Sequence, residues 1–336
     1  MINKKMINIK TPAFTMLELI FVIVILGIVA SIGSSLIAKT YENYIVQRAL
    51  HRASISTELA ANQLVNRLTF RISKTTVARN PSNVNDYLTV SSIVDTGDSN
   101  HTVLEWIGYD NDSFSAQVNP GWSGYADVQN ASKAQFSTPG SSLSITSTII
   151  SNLSNASVSL TAGGQRPAIF FNAYPNDLYY AADTTSTYGA NCMGLDYASN
   201  DTSCVLAVTG TINSGSADML SFSAPPHDTN PKTIYEHYQL AWSAYAIVPV
   251  QVTGSALTNR GFQATDTIYD LHLFYNYQPW LGEQYDTDGS SSLLVPNVSV
   301  FKFSESGGTL RFKICAQHHT IGTRHATVCK EKAVIR

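Results

Sequence analysis

The stretch FTMLELIFVIVILGIVASIGSSLIA, residues 14–38, decides the fold of the amino-terminal end. Its last twenty residues, 19–38, are uncharged and mostly apolar. As a helix they rise about 30 Å, which matches the hydrocarbon thickness of a bilayer. The run is too long for the apolar core of a secretory signal peptide, which has about 7 to 15 residues. The sequence therefore predicts one transmembrane helix over residues 14–38.

The residues before this run and one acid inside it refine the prediction. Residues 1–13 contain Lys4, Lys5 and Lys10 and no acid. Positive charge before an apolar run keeps that end of the chain in the cytoplasm. Glu18 places a carboxylate inside the apolar segment, at a cost of about 2.5 to 3.5 kcal/mol on insertion scales. Because an ordinary membrane anchor would not carry that cost, Glu18 is a candidate functional residue.

The helical pattern continues beyond the apolar run. Leu64, Leu68 and Ile72 repeat at the spacing i, i+4, i+8, with basic residues available for the opposite side of the helix. The residue before a proline is pushed away from the helical region, so we expect the helix to end just before Pro81. The sequence predicts an amphipathic continuation over residues 39–80.

Residues 81–336 change to short β-type runs separated by turn residues. The predicted strands are 143–150, 168–171, 240–252, 267–277, 298–303 and 309–315. Gly307 and Gly308 separate the last two strands and predict a hairpin. The predicted fold class is therefore α+β, with a long amino-terminal helix packed on an antiparallel β-rich head.

Composition and charge favour a secreted or periplasmic head and argue against nucleic acid as its main partner. Charged residues make up 13% of the chain, against roughly 25% in average soluble domains. Residues 81–300 hold four Lys or Arg against nineteen acids, whereas residues 301–336 hold seven against two. Because a non-specific nucleic-acid binder presents a basic face, this acidic body is not expected to bind DNA or RNA.

The four cysteines are spaced as two local pairs, Cys192 with Cys204 and Cys315 with Cys329. They lack the close couplets of a zinc site, so two disulfides that close short loops are the economical interpretation. Four cysteines allow three pairings, and free thiols are a further alternative. Disulfides imply an oxidising compartment.

The amino terminus resembles the class III leader of type IV prepilins and type II secretion pseudopilins. The resemblance rests on the basic leader, the small residue Ala13, the sequence FTMLE of residues 14–18 and the long apolar run that follows. In that family a prepilin peptidase of the inner membrane cuts before the Phe and N-methylates it. This implies cleavage between Ala13 and Phe14. The family usually has Gly before the cut, and Ala13 departs from that pattern while keeping a small side chain.

The resemblance also implies a role for Glu18 in assembly. Cleavage makes Glu18 the fifth residue of the mature chain. In filaments of the family, the corresponding carboxylate is thought to meet the α-amine of a neighbouring subunit inside the apolar filament core. Such pairing offsets the cost of an acid in the membrane and favours the correct axial stagger. A tolerated acid near the membrane surface is the alternative interpretation.

The size of the head is typical of a minor subunit. Residues 81–336 far exceed the roughly 100 to 150 residues of one small domain. The stretch LAANQLVNRLTFRISKTTVARN, residues 59–80, followed by a β-rich head that ends in paired strands, resembles a J-type minor pseudopilin or a W-type minor pilin. The resemblance implies a pilin-like fold with an enlarged periplasmic head, anchored once in the inner membrane with a cytoplasmic amino terminus, and then a periplasmic filament.

The function that the resemblance implies is to initiate or cap a filament of a type II secretion or type IV pilus system. The implied partners are the prepilin peptidase, other minor and major pseudopilins, the inner-membrane assembly platform with its ATPase, and membrane lipid. We do not expect an enzyme, since the motifs GxSxG, HExxH, GxGxxG and the P-loop do not occur. The alternatives are a singly anchored periplasmic enzyme or receptor, and a DNA-uptake pseudopilin.

Two short motifs are candidate ligand or modification sites, and neither implies a certain cofactor. The sequence YDTDGSSS, residues 285–292, places Asp286, Asp288 and Ser290 at alternate positions around a glycine, as at the start of a calcium loop. The distal acid of an EF-hand is missing, and Asp-Gly is also a common hairpin turn. Asn100 lies in a sequence that resembles the acceptor of bacterial oligosaccharyltransferases, although a solvated turn is the favoured interpretation.

Overall fold

A computed structural model describes most of the chain and shows an α+β protein. The described residues are 15–72, 74–93, 100–114, 120–132, 134–160, 164–171, 191–202, 204–209, 218–222, 234–322 and 324–335. Over these residues the chain forms one long amino-terminal apolar helix and a large antiparallel sheet with further strands and short helices. The predicted α+β class is confirmed.

The first element is α1 (Met16–Thr69), a helix of 54 residues. Thr15 begins it as an extended N-cap whose side-chain oxygen accepts a hydrogen bond from the N–H of Glu18 at 3.4 Å. At 1.5 Å per residue the helix is about 81 Å long. Its large apolar side chains are at least half exposed as far as Ile37, and buried positions begin only at Ala49. Only the carboxyl-terminal part of α1 therefore packs against the head.

The helix ends at Thr69, so the prediction of a helix over residues 39–80 is wrong in its last part. The N–H of Ile72 donates to the carbonyl of Ile107 at 2.8 Å, which shows that the chain has already joined a neighbouring strand. Val77–Asn80 is itself a strand. The β-branched threonines before it and its first valine favour extended backbone over helix. The head therefore begins before the predicted boundary at residue 81.

The described residues contain thirteen strands and three further α-helices. The strands are β1 (Val77–Asn80), β2 (Asn83–Thr89), β3 (Val103–Gly108), β4 (Gln135–Ser137), β5 (Ala168–Phe171), β6 (Leu206–Ala207), β7 (Met219–Ser221), β8 (Tyr238–Ala241), β9 (Ser243–Val252), β10 (Ile268–Tyr277), β11 (Ser290–Ser306), β12 (Thr309–His319) and β13 (His325–Ile335). The helices are α2 (Asn111–Phe114), α3 (Leu143–Leu153) and α4 (Gly254–Asn259). Short 3₁₀ turns occupy Val90–Ser92, Asn191–Met193 and Pro279–Leu281.

Eight strands form the main sheet in the order β13-β12-β11-β10-β9-β3-β1-β2, and every neighbouring pair is antiparallel. The long strand β11 pairs with β10 along its first half and with β12 along its second half. Gly307 and Gly308 both have positive φ, at 57° and 75°, and make the tight turn from β11 to β12. The predicted hairpin is therefore confirmed.

One face of the main sheet covers α1. Leu64 and Leu68 are 1% and 0% exposed and pack with Leu310, Phe312 and Ile314 of β12 in the largest apolar cluster. These leucines lie four residues apart on one side of the helix, as the sequence predicted. Full burial of a leucine contributes about 1.5 to 3 kcal/mol. The seam between helix and sheet therefore fixes the head to the stem.

A second layer covers part of the other face of the main sheet. It contains the three-stranded sheet β6-β5-β8, the pair β4-β7 and helix α3. Its apolar cluster includes Trp122, Phe136, Ile150 and Tyr238. The predicted single strand over residues 240–252 is divided, because β8 belongs to the three-stranded sheet and β9 to the main sheet. The chain changes sheets at the residue between them, Trp242.

Residues 143–150 form helix α3, so the predicted strand there is wrong. Its buried positions Leu143, Thr146 and Ile150 recur at the spacing of one helix face. The many isoleucines and threonines of this segment favoured a strand in the sequence. Burial of one side of this segment in the second layer stabilises a helix instead of a strand. The predicted strands 168–171, 267–277 and 309–315 coincide with β5, β10 and β12 within a few residues, whereas the predicted strand 298–303 covers only the second half of β11.

Candidate functional site

The amino-terminal half of α1 is an exposed apolar rod. Every large apolar side chain from Met16 to Ile37 is at least 50% exposed, and no residue of α1 before Ala49 is buried. The apolar window has a mean hydropathy of 2.7 and none of it is buried. In length and composition it is the one described helix that is able to cross a membrane. These properties indicate a single-pass membrane anchor.

Glu18 lies in the first turn of this rod. The amino-terminal end of a helix dipole favours a negative charge, so the position stabilises a carboxylate. Its side chain is exposed among apolar neighbours, and no other described residue makes a hydrogen bond or ion pair with its carboxylate. An acid on an apolar surface is costly unless it meets a partner. Glu18 is thus an exposed acid on an apolar surface, without an ionic partner among the described residues.

Two predicted sites fall wholly or partly outside the described residues. Ala13 and Phe14, the predicted cleavage residues, both lie outside them. Asn100 is described and exposed just before β3, whereas Asp98 and Ser99 of the same motif are not described. Cleavage between Ala13 and Phe14 and glycosylation of Asn100 remain predictions.

Both predicted cysteine pairs lie at disulfide distance. The sulfurs of Cys192 and Cys204 are 1.97 Å apart, and those of Cys315 and Cys329 are 2.09 Å apart. Cys315 and Cys329 lie directly opposite each other in β12 and β13. The described residues contain no free cysteine. Because disulfides persist in oxidising compartments, the head fits such an environment.

The candidate calcium loop is a tight turn that is closed by one of its own acids. The carboxylate of Asp288 accepts from the N–H of Gln284 at 2.9 Å and from the hydroxyl of Thr287 at 2.7 Å. Ser290 is already the first residue of β11. Among the described residues, no third acid, His or Cys joins Asp286 and Asp288 in a group able to hold a metal ion. Calcium binding at this turn remains a prediction that this geometry does not strengthen.

The sequence did not predict a buried ion pair between β1 and β3. Arg79 Nε donates to Glu105 Oε2 at 2.6 Å, and both side chains are 0% exposed. The hydroxyl of Tyr277 donates to Glu105 Oε1 at 2.8 Å, and the hydroxyl of Tyr197 donates to the same oxygen. Burial, and then the Glu105 charge, raise the pKa of both tyrosines well above the usual value. Both hydroxyls therefore stay protonated as donors.

The other side of the Arg79 guanidinium holds the loop that is closed by the first disulfide. Arg79 Nη2 donates to the carbonyl of Leu195 at 2.7 Å, and the ring of Tyr197 lies 3.8 Å from the guanidinium carbon. Leu195 and Tyr197 lie between Cys192 and Cys204. A buried network whose donors and acceptors are paired makes a structure rigid. The arrangement therefore anchors the loop to the main sheet and performs no evident chemistry.

One signal in the sequence was available for this ion pair. Arg79 follows two apolar residues in VARN, and Glu105 interrupts the apolar run VLEWIG. A charged residue inside an apolar strand is seldom fully buried without a partner. One cation and one anion of this kind predict a buried pair. The sequence does not show that Arg79 and Glu105 are partners, because they are far apart along the chain and β1 and β3 become neighbours only in the folded sheet.

Asp110 is the one buried carboxylate with a clearly raised pKa among the described residues. It is 2% exposed and begins the short helix α2, where it accepts from the N–H of Ser113 at 3.2 Å and from the Ser113 hydroxyl. Burial raises its pKa to about 6, and the bonds from Ser113 oppose this shift. Perturbed acids occur at catalytic sites and also at structural caps. The bonds to Ser113 identify a structural cap here.

Three cations face the same way on the outer side of β11 and β12, opposite α1. Lys302 is directly opposite Lys313 in the register, and Arg311 lies two residues from Lys313 on the same face. All three are exposed and line one groove together with Glu331 of β13. No other described residue forms an ion pair with these three cations. Like charges directly opposite in a sheet are destabilising, so this groove attracts anions.

Ser299 and Lys302 have the SxxK spacing of some acyl-transfer enzymes, which the sequence interpretation overlooked. In this chain the spacing lies in strand β11. Residues three apart on a strand point to opposite faces, and the Ser299 hydroxyl donates to the carbonyl of Cys315 at 3.4 Å. The pair therefore does not form a nucleophile with its base.

Three features of the described residues are candidates for function: the exposed apolar rod with Glu18, the buried network around Arg79 and Glu105, and the cationic groove. The first and the third are exposed surfaces, and the second is buried inside the head. None of them combines an open cavity with an activated nucleophile. Comparison with known proteins found no matching family model, no matching curated protein and no matching solved structure.

Proposed function

We propose that this chain is a minor subunit of a type IV pilus-like or type II secretion filament, and that it helps to initiate or cap that filament. It enters the inner membrane through α1, with its amino terminus in the cytoplasm and its head in the periplasm. A prepilin peptidase then cleaves it before Phe14 and N-methylates the new amino terminus. Its partners are the other minor and major subunits and the membrane platform with its ATPase.

The observation that carries this proposal is the division of α1 into two parts. The large side chains of the first part are apolar and at least half exposed, and its first turn carries Glu18, which pairs with no other described residue. The second part, from Ala49, is buried against the main sheet. A plain anchor needs only the apolar length, and neither a carboxylate nor a helix that continues into the core of the head. In a subunit that packs its stem against other stems, the carboxylate pairs with a neighbouring stem and the continuous helix joins the stem rigidly to the head.

Glu18 gives the stem its assembly chemistry in this proposal. After cleavage, the α-amine of Phe14 in one subunit and the Glu18 carboxylate of its neighbour meet in an apolar filament core. Each charge alone is costly there, and the pair recovers much of that cost. The pairing distance then sets the axial offset between two subunits. The work of the protein is binding rather than catalysis.

The substitution Glu18→Ala tests this role. The variant is expected to insert into the membrane normally, since it removes an acid that costs about 2.5 to 3.5 kcal/mol. We expect that chemical crosslinking no longer joins the variant to neighbouring subunits. We also expect the variant to be absent from filaments sheared from the cells. Glu42→Ala is the matched control, because Glu42 is the next acid along α1, is also exposed, and lies beyond the apolar run. Equal incorporation of both variants would remove the assembly role from Glu18.

The cationic groove favours one second candidate, a filament that takes up DNA. Lys302, Arg311 and Lys313 offer three phosphate contacts on one face. Each phosphate contact contributes to a steep dependence of affinity on salt. Retention of duplex DNA by the purified protein that falls with salt, and that is lost in Lys302→Gln/Lys313→Gln, would support this candidate. Retention that is absent at low salt would exclude it.

A further inference from the structure

The head has a fixed orientation along α1, which two hydrogen bonds define and one electrostatic effect supports. The Arg52 charge reaches His318 near the end of β12, where burial and then that charge lower the pKa of His318. At the other end, Arg71 Nη2 donates to the carbonyl of Gly308, just before β12 begins, at 3.1 Å. Between them, Glu58 binds Lys332 of β13 at 2.8 Å. Strand β12 therefore runs antiparallel to α1.

The lengths of the two elements agree with this orientation. From residue 52 to residue 71 the helix rises about 29 Å. The ten residues from 308 to 318 span about 33 Å as a strand. Helix and strand thus run side by side over the same distance. The connection between β12 and β13 consequently lies at the end of the head that faces the apolar rod.

The stem itself marks where the bilayer surface lies. The uncharged run ends at Ala38, and the exposed residues Lys39, Tyr41 and Tyr44 follow it. Tyrosine and lysine are enriched at the interface between membrane and water. The headgroup layer is about 5 to 8 Å thick on each side of the hydrocarbon core. It therefore covers roughly residues 39–43 of the helix.

The connection between β12 and β13 reaches this level. Ile321 is three residues beyond His318, and because β12 ends at His319 and the backbone then turns, Ile321 lies about 5 to 10 Å nearer to the membrane than His318. That distance equals about three to seven helical residues, so Ile321 lies level with about residues 45–49 of the stem. This position is within about one Debye length, ~8 Å, of the headgroups. A hydrogen bond of 2.9 Å from Thr320 N–H to the Arg324 carbonyl closes the connection.

The side chains at this end of the head suit an anionic bilayer surface. Ile321 is 37% exposed at the tip, and Arg324 is exposed beside it with no ion pair to any other described residue. The nearby stem adds exposed cations and one exposed acid, namely Lys39, Arg48, Arg52 and Glu42. Asp266 approaches His325 at 3.8 Å, and Asp270 is paired with Arg260. Among the described residues named here, cations therefore exceed unpaired acids.

We propose that the β12–β13 connection docks the head on the bilayer, with Arg324 against the phosphates of anionic lipid headgroups and Ile321 in the interface beside them. Together with the stem, this contact gives the anchored chain a second point of attachment and sets the direction in which the head faces. The inference requires only that residues 19–38 span the membrane. It does not depend on the proposed assembly role, which a separate measurement tests.

The cysteine content of the chain allows a direct test. All four cysteines are in disulfides, so a single introduced cysteine is the one thiol available for labelling. The full chain with Ile321→Cys is labelled with an environment-sensitive fluorophore and placed in nanodiscs of phosphatidylglycerol or of phosphatidylcholine. Lipids with a spin label on the headgroup quench the fluorophore on contact. Ser306→Cys is the matched control, because Ser306 ends β11 opposite Thr309, the first residue of β12, and so lies about 33 Å farther from the membrane.

We expect strong quenching at position 321 in phosphatidylglycerol, weaker quenching there in phosphatidylcholine, and little quenching at position 306 in either lipid. Arg324→Gln should lower the ratio of docked to undocked heads in phosphatidylglycerol about fivefold, which corresponds to about 1 kcal/mol for one basic side chain at an anionic surface. Arg311→Gln, on the outer face of β12 near its distal end, should leave the ratio unchanged. Equal quenching at positions 321 and 306 would overturn the proposal, as would an Arg324→Gln variant that docks like the unsubstituted chain.

Discussion

Arg79 and Glu105 are the residues on which the order of the head most depends. Their side chains are completely buried, and their ion pair reaches two tyrosine hydroxyls and the carbonyl of Leu195. Removing one partner leaves the other as an uncompensated buried charge. The network also joins the loop between Cys192 and Cys204 to the main sheet, so its loss affects both layers of the head.

The substitution Glu105→Gln is expected to lower the free energy of unfolding by about 3 kcal/mol or more, because Arg79 keeps its charge and loses its counter-ion. Urea unfolding of the detergent-solubilised chain measures this change. Glu58→Gln is the matched control, since Glu58 pairs with Lys330 at 3.1 Å and with Lys332 at 2.8 Å and all three side chains are about one third exposed. We expect a much smaller loss for the control, because ion pairs that are open to solvent contribute little to stability. Similar losses for both variants would contradict the assigned role of the network.

Asp110 provides a prediction about pH. Its pKa is about 6 in the folded chain against 3.8 for the unperturbed group. Because the folded-state value is raised, the contribution of this carboxyl to stability is complete below about pH 4 and is lost as the pH rises through about 6. Asp110→Asn, which resembles the protonated acid, should therefore match the unsubstituted chain at pH 4. At pH 8 it should exceed the unsubstituted chain by up to about 3 kcal/mol.

Measuring the free energy of unfolding of Asp110→Asn and of the unsubstituted chain at pH 4 and at pH 8 tests the direction of this pH dependence. Asp112→Asn serves as the control, because Asp112 is the exposed acid of the same short helix. We expect the change in the free energy of unfolding caused by Asp112→Asn to be nearly the same at pH 4 and at pH 8. An Asp110→Asn variant with the same advantage at both pH values would show that burial does not raise the pKa of Asp110.

The sequence predicts single residues where the signal is local. Glu18 stands out because it interrupts an apolar run, and the cysteine pairs follow from their spacing. The partner of Arg79 could not be predicted in this way. Its network depends on which strands become neighbours, and the tyrosines that bind Glu105 lie 92 and 172 residues away from it. The sequence predicts that such a charge needs a partner, and only the fold supplies the partner.

The sequence predicts the beginning of helix α1 well, but it does not predict where α1 ends. The apolar run and the cap at Thr15 are local properties. The end at Thr69 depends on the bond from Ile72 to Ile107, which is a contact between distant parts of the chain. The same cause explains α3, where burial against the second layer outweighs the strand preference of isoleucine and threonine.

The seam between α1 and the main sheet yields a prediction about this element. Leu64→Ala should lower the free energy of unfolding by about 2 to 5 kcal/mol, because it opens a cavity where Leu64 is 1% exposed. Leu59→Ala makes the same chemical change on the same helix, at a position that is 59% exposed. The control should change stability by less than about 0.5 kcal/mol. Chemical unfolding monitored by tryptophan fluorescence compares the two, and equal losses would contradict the assigned seam.

The whole molecule consists of an exposed apolar rod and a two-layered β-rich head joined by one continuous helix. The sequence predicted these parts because composition and periodicity change at their boundaries. The order of the strands could not be predicted from the sequence. The chain changes sheets at Trp242, and β11 pairs with two different strands along its length. The rod is the part of the described chain that is long and apolar enough to cross a membrane. In the proposed function it also packs against other stems.

We propose that this chain is processed and assembled as a pilin-like subunit. Mass spectrometry of its amino-terminal peptide, after purification from the membranes of its host, tests this processing. We expect a mature chain that begins at Phe14 with a methyl group on its α-amine, and we expect this species to disappear in a host without prepilin peptidase. A membrane-bound chain that still begins at Met1, in a host whose peptidase is active, would contradict the claim and favour a singly anchored receptor or enzyme.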